Sequence, residues 1–322
     1  MLSDTTLKNQ LKFTLDKTNF KFGKKYEGKV RDNYTIDGKR IIVTTDRISA
    51  FDRVLCTIPF KGQVLNQTAA FWFEKTKNII DNHIISIPDP NVMLAKECNP
   101  IPVEMVVRGY ITGVTTTSAW YNYEKGVRNF CGNILPEDLK KNQKLAKPII
   151  TPSTKAEHGA HDESVSGEEI IKRKLVDEKM YGQMEKTALA LFDFGTKLVA
   201  KNNLILVDTK YEFGELNGKL VLIDEIHTPD SSRFWIKDTY DKLFSEGKEP
   251  QKLDKEYVRM WLSEKGFIGE GKIPAIPDEV KVEAAKRYIT AYEMITGKEF
   301  EAKNEDVWKR IEGNLRKSGI KL

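Results

Sequence analysis

The densest chemistry in this 322-residue chain lies in Leu204-Ile-Leu-Val-Asp-Thr-Lys-Tyr-Glu-Phe-Gly214. Alternate residues of a β-strand share a face. Leu204 and Leu206 are therefore expected to be followed on one face by Asp208, Lys210 and Glu212. Val221-Leu-Ile-Asp-Glu-Ile-His227 reads as a second strand, reached through Glu215-Leu-Asn-Gly-Lys219, and it too ends in acids. Carboxylates at a hairpin tip beside a lysine suit Mg²⁺ and phosphate oxygens. Magnesium takes one or two carboxylates and fills the rest of its shell with phosphate and water. Register decides whether two acids meet. A two-residue Asn217-Gly218 turn sets Glu212 opposite Ile223 and turns Asp224 to the other face. One extra loop residue, or a bulge near Gly214, pairs Glu212 with Asp224 instead. The second arrangement is expected, because it lets both acids hold one ion.

Glu27-Gly-Lys-Val-Arg-Asp-Asn-Tyr34 is a second candidate. Lys29 and Arg31 alternate and should share a strand face. A polyphosphate lying over Gly28 would meet backbone amides and two cations. Neither GxxxxGK[ST] nor GxGxxG is present. Asp46-Arg-Ile-Ser-Ala-Phe-Asp-Arg53 places polar groups at the end of the apolar run Ile41 to Thr45. Arg108 closes the run from Val103, and an arginine there forms a salt bridge or grips an anion with two parallel bonds. Thr151 to Asp162 gathers hydroxyls, Lys155, His158, His161 and acids in one loop. The i,i+3 spacing of the two histidines is poor support for zinc. His227-Thr-Pro-Asp-Ser-Ser-Arg233 supplies another anion-gripping arginine, and no GxSxG elbow appears.

These groups need elements to position them. Residues 22–54 read as short strands, with Asp37-Gly38 as a hairpin turn. A helix is expected from about Asn66 to Ile80, and strands at Ile84–Ile87 and Val103–Val107. Ser166-Gly-Glu-Glu169 is a capping box opening a helix whose apolar stripe is Met184, Ala188, Leu191, Phe192 and Val199. Asn202-Asn203 should stop it. The tail from Asp238 is helical, with Val280, Ala284, Tyr288, Ala291 and Ile295 on one side of its best helix and Gly297 as a stop.

Composition bounds the class. The chain is 40% hydrophobic and 31% charged, as in ordinary soluble domains, and its length suggests roughly two of them. No apolar run approaches the roughly 20 residues that span a bilayer. The polar segment Met1–Gln10 lacks the apolar core of a secretory signal. Cys56, Cys98 and Cys131 form no CxxC pair, and a reducing cytoplasm fits best. Fifty-two basic against 47 acidic residues give +5, with the lysines dispersed, so an anionic small molecule is a better partner than nucleic acid. No membrane partner is expected.

Seven stretches, in order, resemble the SAICAR synthetase (phosphoribosylaminoimidazole-succinocarboxamide synthase) family. They are YEGKVRDNY (26–34), TDRISAFD (45–52), VEMVVRGYITG (103–113), CGNILPEDLKKNQKL (131–145), TPSTKAEHGAHDESVS (151–166), LILVDTKYEFG (204–214) and LIDEIHTPDSSRFW (222–235). The resemblance spans about residues 20 to 300. It implies an ATP- and Mg²⁺-dependent C–N ligase of purine biosynthesis, joining L-aspartate to carboxyaminoimidazole ribotide. It also implies an α+β fold in two lobes, related to ATP-grasp and protein-kinase architectures. The lobes would be residues 1–107, with an antiparallel sheet for the nucleotide, and 108–322, with the metal, the substrates and a helical tail.

The resemblance further implies roles. Gly28, Lys29, Val30 and Arg31 would meet ATP phosphates, and Glu104 and Val106 would border the adenine. Glu212 and Asp224 would hold Mg²⁺. Lys210, Asp208 and Lys155 would act at the reacting groups. Arg108, Ser232 and Arg233 would grip the ribotide phosphate, with Ser49 and Asp162 also at the substrate. Val114 departs from the serine usual after YITG. A protein or small-molecule kinase is the nearest rival, but the kinase HRD and DFG motifs are missing. The partners expected are small molecules only, in a cytoplasmic monomer or homodimer.

Overall fold

Asp37 and Gly38 both take left-handed backbone, φ 49° and 67°, the conformation a two-residue type I′ turn demands. Ile36 therefore pairs directly with Lys39, and the N-terminal hairpin forms as its sequence dictates. The computed structural model describes residues 2–51, 53–154, 163–253 and 256–320. Helix α1 (Asp4–Gln10) precedes β1 (Lys24–Glu27), β2 (Arg31–Ile36), β3 (Lys39–Thr44), β4 (Arg47–Ala50) and β5 (Arg53–Thr57). Helix α2 (Lys61–Thr76) leads to β6 (Ile84–Asp89), β7 (Val92–Lys96) and the long β8 (Asn99–Ile111). Then come α3 (Ala119–Glu124), β9 (Asn129–Phe130), β10 (Asn133–Ile134), β11 (Gln143–Ile150), β12 (Ser153–Thr154), β13 (Glu163–Ser164), α4 (Gly167–Lys172) and α5 (Glu178–Val199). Strands β14 (Leu204–Leu216), β15 (Lys219–Ile223) and β16 (Ser232–Ile236) precede the tail helices α6 (Lys237–Ser245), α7 (Glu256–Glu264), α8 (Asp278–Thr296) and α9 (Val307–Lys317).

The architecture is α+β with antiparallel sheets. One large sheet has the order β1-β2-β3-β7-β6; a second runs β13-β12-β8-β14-β15, with β11 also on β8 and β16 also on β14; β4-β5 and β9-β10 form two-stranded pairs. Helix α5 packs its stripe, Met184, Ala188, Leu191 and Phe192, against Met105 and Val107 of β8 and Tyr211 and Phe213 of β14. Its stop is as expected, with Asn203 at φ 60°. Among the described residues no helix is long and apolar enough to cross a membrane.

Three local expectations change. Helix α2 starts at Lys61, earlier than its own periodicity suggests, because its cap comes from elsewhere: Asp46 Oδ1 accepts from the Gly62 amide at 2.9 Å. A side chain on Gly62 would strike the Thr44 carbonyl at 2.3 Å, so only glycine allows this approach. The capping box is half made. Ser166 Oγ accepts from the Glu169 amide, while the Glu169 carboxylate takes Arg173 Nε at 2.8 Å. The boundary expected at 107/108 falls inside β8, and the tail returns to the N-terminal half. Ala285 and Ile289 of α8 cluster with Val64 and Leu65 of α2. Val307, Ile311 and Leu315 of α9 cluster with Tyr34, Ile41 and Val43 of the first sheet.

Candidate active site

A bulge in β14 sets the site's geometry. Leu206 pairs with Phe234 and Asp208 with Arg233, so Val207 is the extra residue. Leu204 and Leu206 consequently share a core cluster with Tyr211 and Phe213, while Val207 packs with Tyr110 and Trp235. The charged residues thus do not continue the face of Leu204 and Leu206, as simple alternation predicts. The bulge lets apolar residues fill both sides of the strand before its polar groups begin.

Asp208 stands between two arginines, paired in register with Arg108 on β8 and with Arg233 on β16. Arg233 Nη1 lies 2.6 Å from Asp208 Oδ2, and Arg108 Nη1 lies 3.5 Å from the same oxygen. Arg108 is buried; its Nε donates to Thr151 Oγ1 at 2.8 Å and its Nη2 to the Thr117 carbonyl at 3.0 Å. Burial depresses its affinity for its proton; Asp208 opposes this and Arg233 adds to it. Two guanidiniums drawing on one carboxylate make a place for a further anion. They line a cavity of about 510 Å³ with Lys29, Ser49, Asp208, Lys210 and Ser232. Ser232 Oγ donates to Thr209 Oγ1 at 2.7 Å.

Lys210 sits between Glu104 Oε1 at 2.6 Å and Glu212 Oε1 at 3.1 Å. Burial alone would lower its pKa, but Glu212, Glu104 and Asp224 together hold it well above the ordinary lysine value. Glu104 lines the larger cavity, whereas Glu212 and Asp224 line a second one of about 200 Å³ with Tyr26, Ile42, Cys98 and Pro100.

The hairpin takes the plain register. Asn217 and Gly218 form the turn, φ 52° and 74°, and Glu212 faces Ile223. This corrects the expected Glu212–Asp224 pairing. The irregularity near Gly214 exists, but it lies against β8, where Glu212 pairs with Glu104 and Gly214 with Pro100. Asp224 nonetheless does not turn away. The chain leaves β15 at Ile223, and Asp224 adopts φ 64°, a left-handed conformation Asp tolerates better than most residues. That break in alternation leaves both acids on the smaller cavity. Burial raises the Asp224 carboxyl to about 6; Arg31 works against this, and Glu212 and Glu225 add to it. Among the described residues no group of three or more His, Cys, Asp or Glu is disposed to hold a metal by itself. Two crowded carboxylates therefore fit Mg²⁺ only in company with phosphate oxygens.

Lys29 and Arg31 part company, contrary to expectation. Gly28 to Val30 form the turn between β1 and β2, closed by the Gly28 amide on the Arg31 carbonyl at 2.8 Å. Lys29 lines the larger cavity, while Arg31 binds Asp224 Oδ1 at 2.9 Å and Glu225 Oε2 at 2.7 Å. A turn does not keep a strand's alternation. Glu104 and Val106 are the residues expected at the adenine. Glu104 and Val106 line the larger cavity beside Arg108, and their strand carries β14 on one side and β12 or β11 on the other. Their backbone is used within the sheet. Cys98, just before β8, and Pro100, at its start, line the smaller cavity. Lys155 and Asp162 lie outside the described residues.

Thr115, Thr117, Asp230 and Arg259 also line the larger cavity. Their positions follow from loop closure and from the returning tail, which no local pattern announces. Val114 is exposed and borders only a small side pocket next to Arg233. Thr115 and Thr117 line the larger cavity, and Val114 is not among its lining residues. Glu225 belongs to the acidic strand end that drew notice, and pairing with Arg31 gives it a place.

Known proteins bear on this geometry. The family model described as SAICAR synthetase matches residues 24–274. The phosphoribosylaminoimidazole-succinocarboxamide synthase of Legionella pneumophila (strain Lens) is 50% identical over 290 residues, 89% of this chain and 92% of that one. The SAICAR synthase of Saccharomyces cerevisiae, solved in complex with SAICAR, superposes with a TM-score of 0.79 at 31% identity, over 90% of this chain and all of that one. A SAICAR synthetase solved in complex with ADP gives a TM-score of 0.65 at 26% identity, over 87% of this chain and all of that one. Half-identity across nine-tenths of the sequence, with the paired cavities in place, admits one conclusion: this chain belongs to the SAICAR synthetase family.

Proposed function

We propose that the protein, a ligase of this family, joins L-aspartate to carboxyaminoimidazole ribotide through an acyl-phosphate intermediate. A carboxylate at neutral pH is a poor acyl donor. In this reading its oxygen attacks the γ-phosphorus of ATP, and ADP leaves. The aspartate amine then attacks the activated carbonyl, phosphate departs, and the amine proton passes to solvent or a cavity carboxylate. Such a reaction needs phosphoryl and acyl groups held together with their charge compensated.

The observation that carries this reading is Lys210. Its ammonium bridges a carboxylate of each cavity, so a cation stands where phosphate from one side would meet carboxylate from the other. The smaller cavity would take the nucleotide, with adenine near Ile42, Cys98 and Pro100 and the phosphates toward the Gly28–Val30 turn. Arg108, Arg233 and Ser232 would hold the ribotide 5′-phosphate, with Asp208 orienting the guanidiniums and facing the imidazole amine. Ser49, Lys155 and Asp162 remain assigned to the substrate side. Glu212 and Asp224 would hold Mg²⁺, which when bound neutralises phosphoryl charge. Product formation that requires aspartate, ribotide and ATP together, followed by chromatography of ADP and the succinocarboxamide, tests this function. ATP consumption without aspartate, and no amide product with it, would replace the ligase by a kinase.

A further inference from the structure

Arg47 belongs to the TDRISAFD stretch, in which the chemistry above gives a task to Ser49 alone. Its side chain is buried, and its donors go to three backbone carbonyls and the Asp32 carboxylate. Nη2 donates to the Gly28 carbonyl at 2.9 Å and to Asp32 Oδ1 at 2.8 Å; Nε donates to the Lys29 carbonyl at 3.0 Å; Nη1 donates to the Asp16 carbonyl. Thr45 completes the set, with its amide at 3.0 Å and its hydroxyl at 2.9 Å from the Val30 carbonyl. All three carbonyls of the turn thus have donors, two of them on Arg47 and one on Thr45. The anchor beneath is firm: Asp32 is fully buried, and its Oδ2 accepts from the Thr18 amide at 2.6 Å and the Thr18 hydroxyl at 2.7 Å.

A trans peptide points its N–H opposite its C=O. No cis peptide occurs among the described residues. With the Gly28 and Lys29 carbonyls held on Arg47, the amides of Lys29 and Val30 face the other way. The Lys29 side chain lines the larger cavity from this same turn. Successive amides turned outward make a concavity for an anion.

We propose that Arg47 is a positioning residue that, by gripping the Gly28 and Lys29 carbonyls, presents the Lys29 and Val30 amides to the phosphates of the nucleotide. This rests on the reading that the nucleotide's phosphates lie at this turn. Lysine does not substitute for it, since a single ammonium lacks the planar fork that reaches several oxygens at once.

The test measures ADP binding by calorimetry and amide hydrogen exchange in the full-length protein. In the unsubstituted protein ADP should slow exchange at Lys29 and Val30. Arg47→Gln and Arg47→Lys should each weaken ADP binding about tenfold or more, as loss of preorganised donors does, and remove that protection. A purely structural Arg47 would lower the thermal midpoint and leave ADP affinity unchanged. That result, with protection intact, overturns the proposal and spares the nucleotide site. No ADP protection at these amides in the unsubstituted protein overturns both the placement of the phosphates and the proposal. Should Arg47→Gln not fold, Arg47→Lys, which keeps a cation beside Asp32, is read alone.

Discussion

Arg31 Nη1 lies 2.9 Å from Asp224 Oδ1, joining residues 193 positions apart. The first residue of β2 thereby ties the Gly28–Val30 turn to one of the two acids proposed for Mg²⁺, while its second nitrogen holds Glu225 at 2.7 Å. One guanidinium thus joins the turn after β1 to the acids that follow β15.

Arg31→Met removes this tie and leaves Asp224 and Glu225 half-compensated. Arg31 and Asp224 are only partly buried, so the cost should fall below the about 3–5 kcal/mol of a fully buried pair broken on one side. The thermal midpoint should fall clearly, and kcat/KM should drop about 100-fold or more. Steady-state kinetics and a melting curve check both. A variant that melts lower but turns over normally would make the pair purely structural.

Glu212→Gln and Asp224→Asn should each reduce kcat by about 10²-fold or more, since metal-held charge stabilisation is worth several kcal/mol. Chelation with EDTA should abolish turnover in the unsubstituted protein, and added Mg²⁺ should restore it. Near-normal rates in both variants at low Mg²⁺ would contradict the assignment.

Arg233→Ala should raise KM for the ribotide about 10- to 100-fold, the range expected for a lost charge-assisted bond, with ADP affinity unchanged. Comparing ribotide KM with calorimetric ADP binding separates the two. Equal losses for both ligands would refute a phosphate clamp in the larger cavity.

Burial pushes His83 and His227 down to about 3. Their ordinary value is about 6.5. The folded state thus binds fewer protons than the unfolded one between these values. The stability each contributes is present above pH 6.5 and is lost as pH falls toward 3. Acidification from pH 6.5 to 5 should cost about 1.6 kcal/mol per histidine. His83→Gln should lose correspondingly less than the unsubstituted protein over that interval, as measured by urea unfolding at each pH. Identical pH slopes would mean that His83 is protonated in the fold.

Much of the fold was legible because short-range chemistry sets it. Asp37-Gly38, Asn217-Gly218, Asn203 and Gly297 take the left-handed backbone their types favour, and the stripes of α5 and α8 bury the residues their periodicity selects. The seven ordered motifs carried the family. The Asp208, Lys210 and Glu212 cluster was also visible, because three charged residues at alternate positions of an otherwise apolar strand are costly unless they meet partners.

Tertiary structure decided how those groups face one another. The bulge at Val207 reverses which apolar residues share the strand's core side, and the left-handed Asp224 lines the same cavity as Glu212 although the register pairs Glu212 with Ile223. The cap on α2 comes from Asp46, and the grip on the Gly28–Val30 turn comes from Arg47, each supplied across space. Composition and spacing specify which side chains exist and what they can bind. Where a strand gains one residue, or where a distant donor reaches a carbonyl, depends on how the packed layers close, and that is a property of the whole chain.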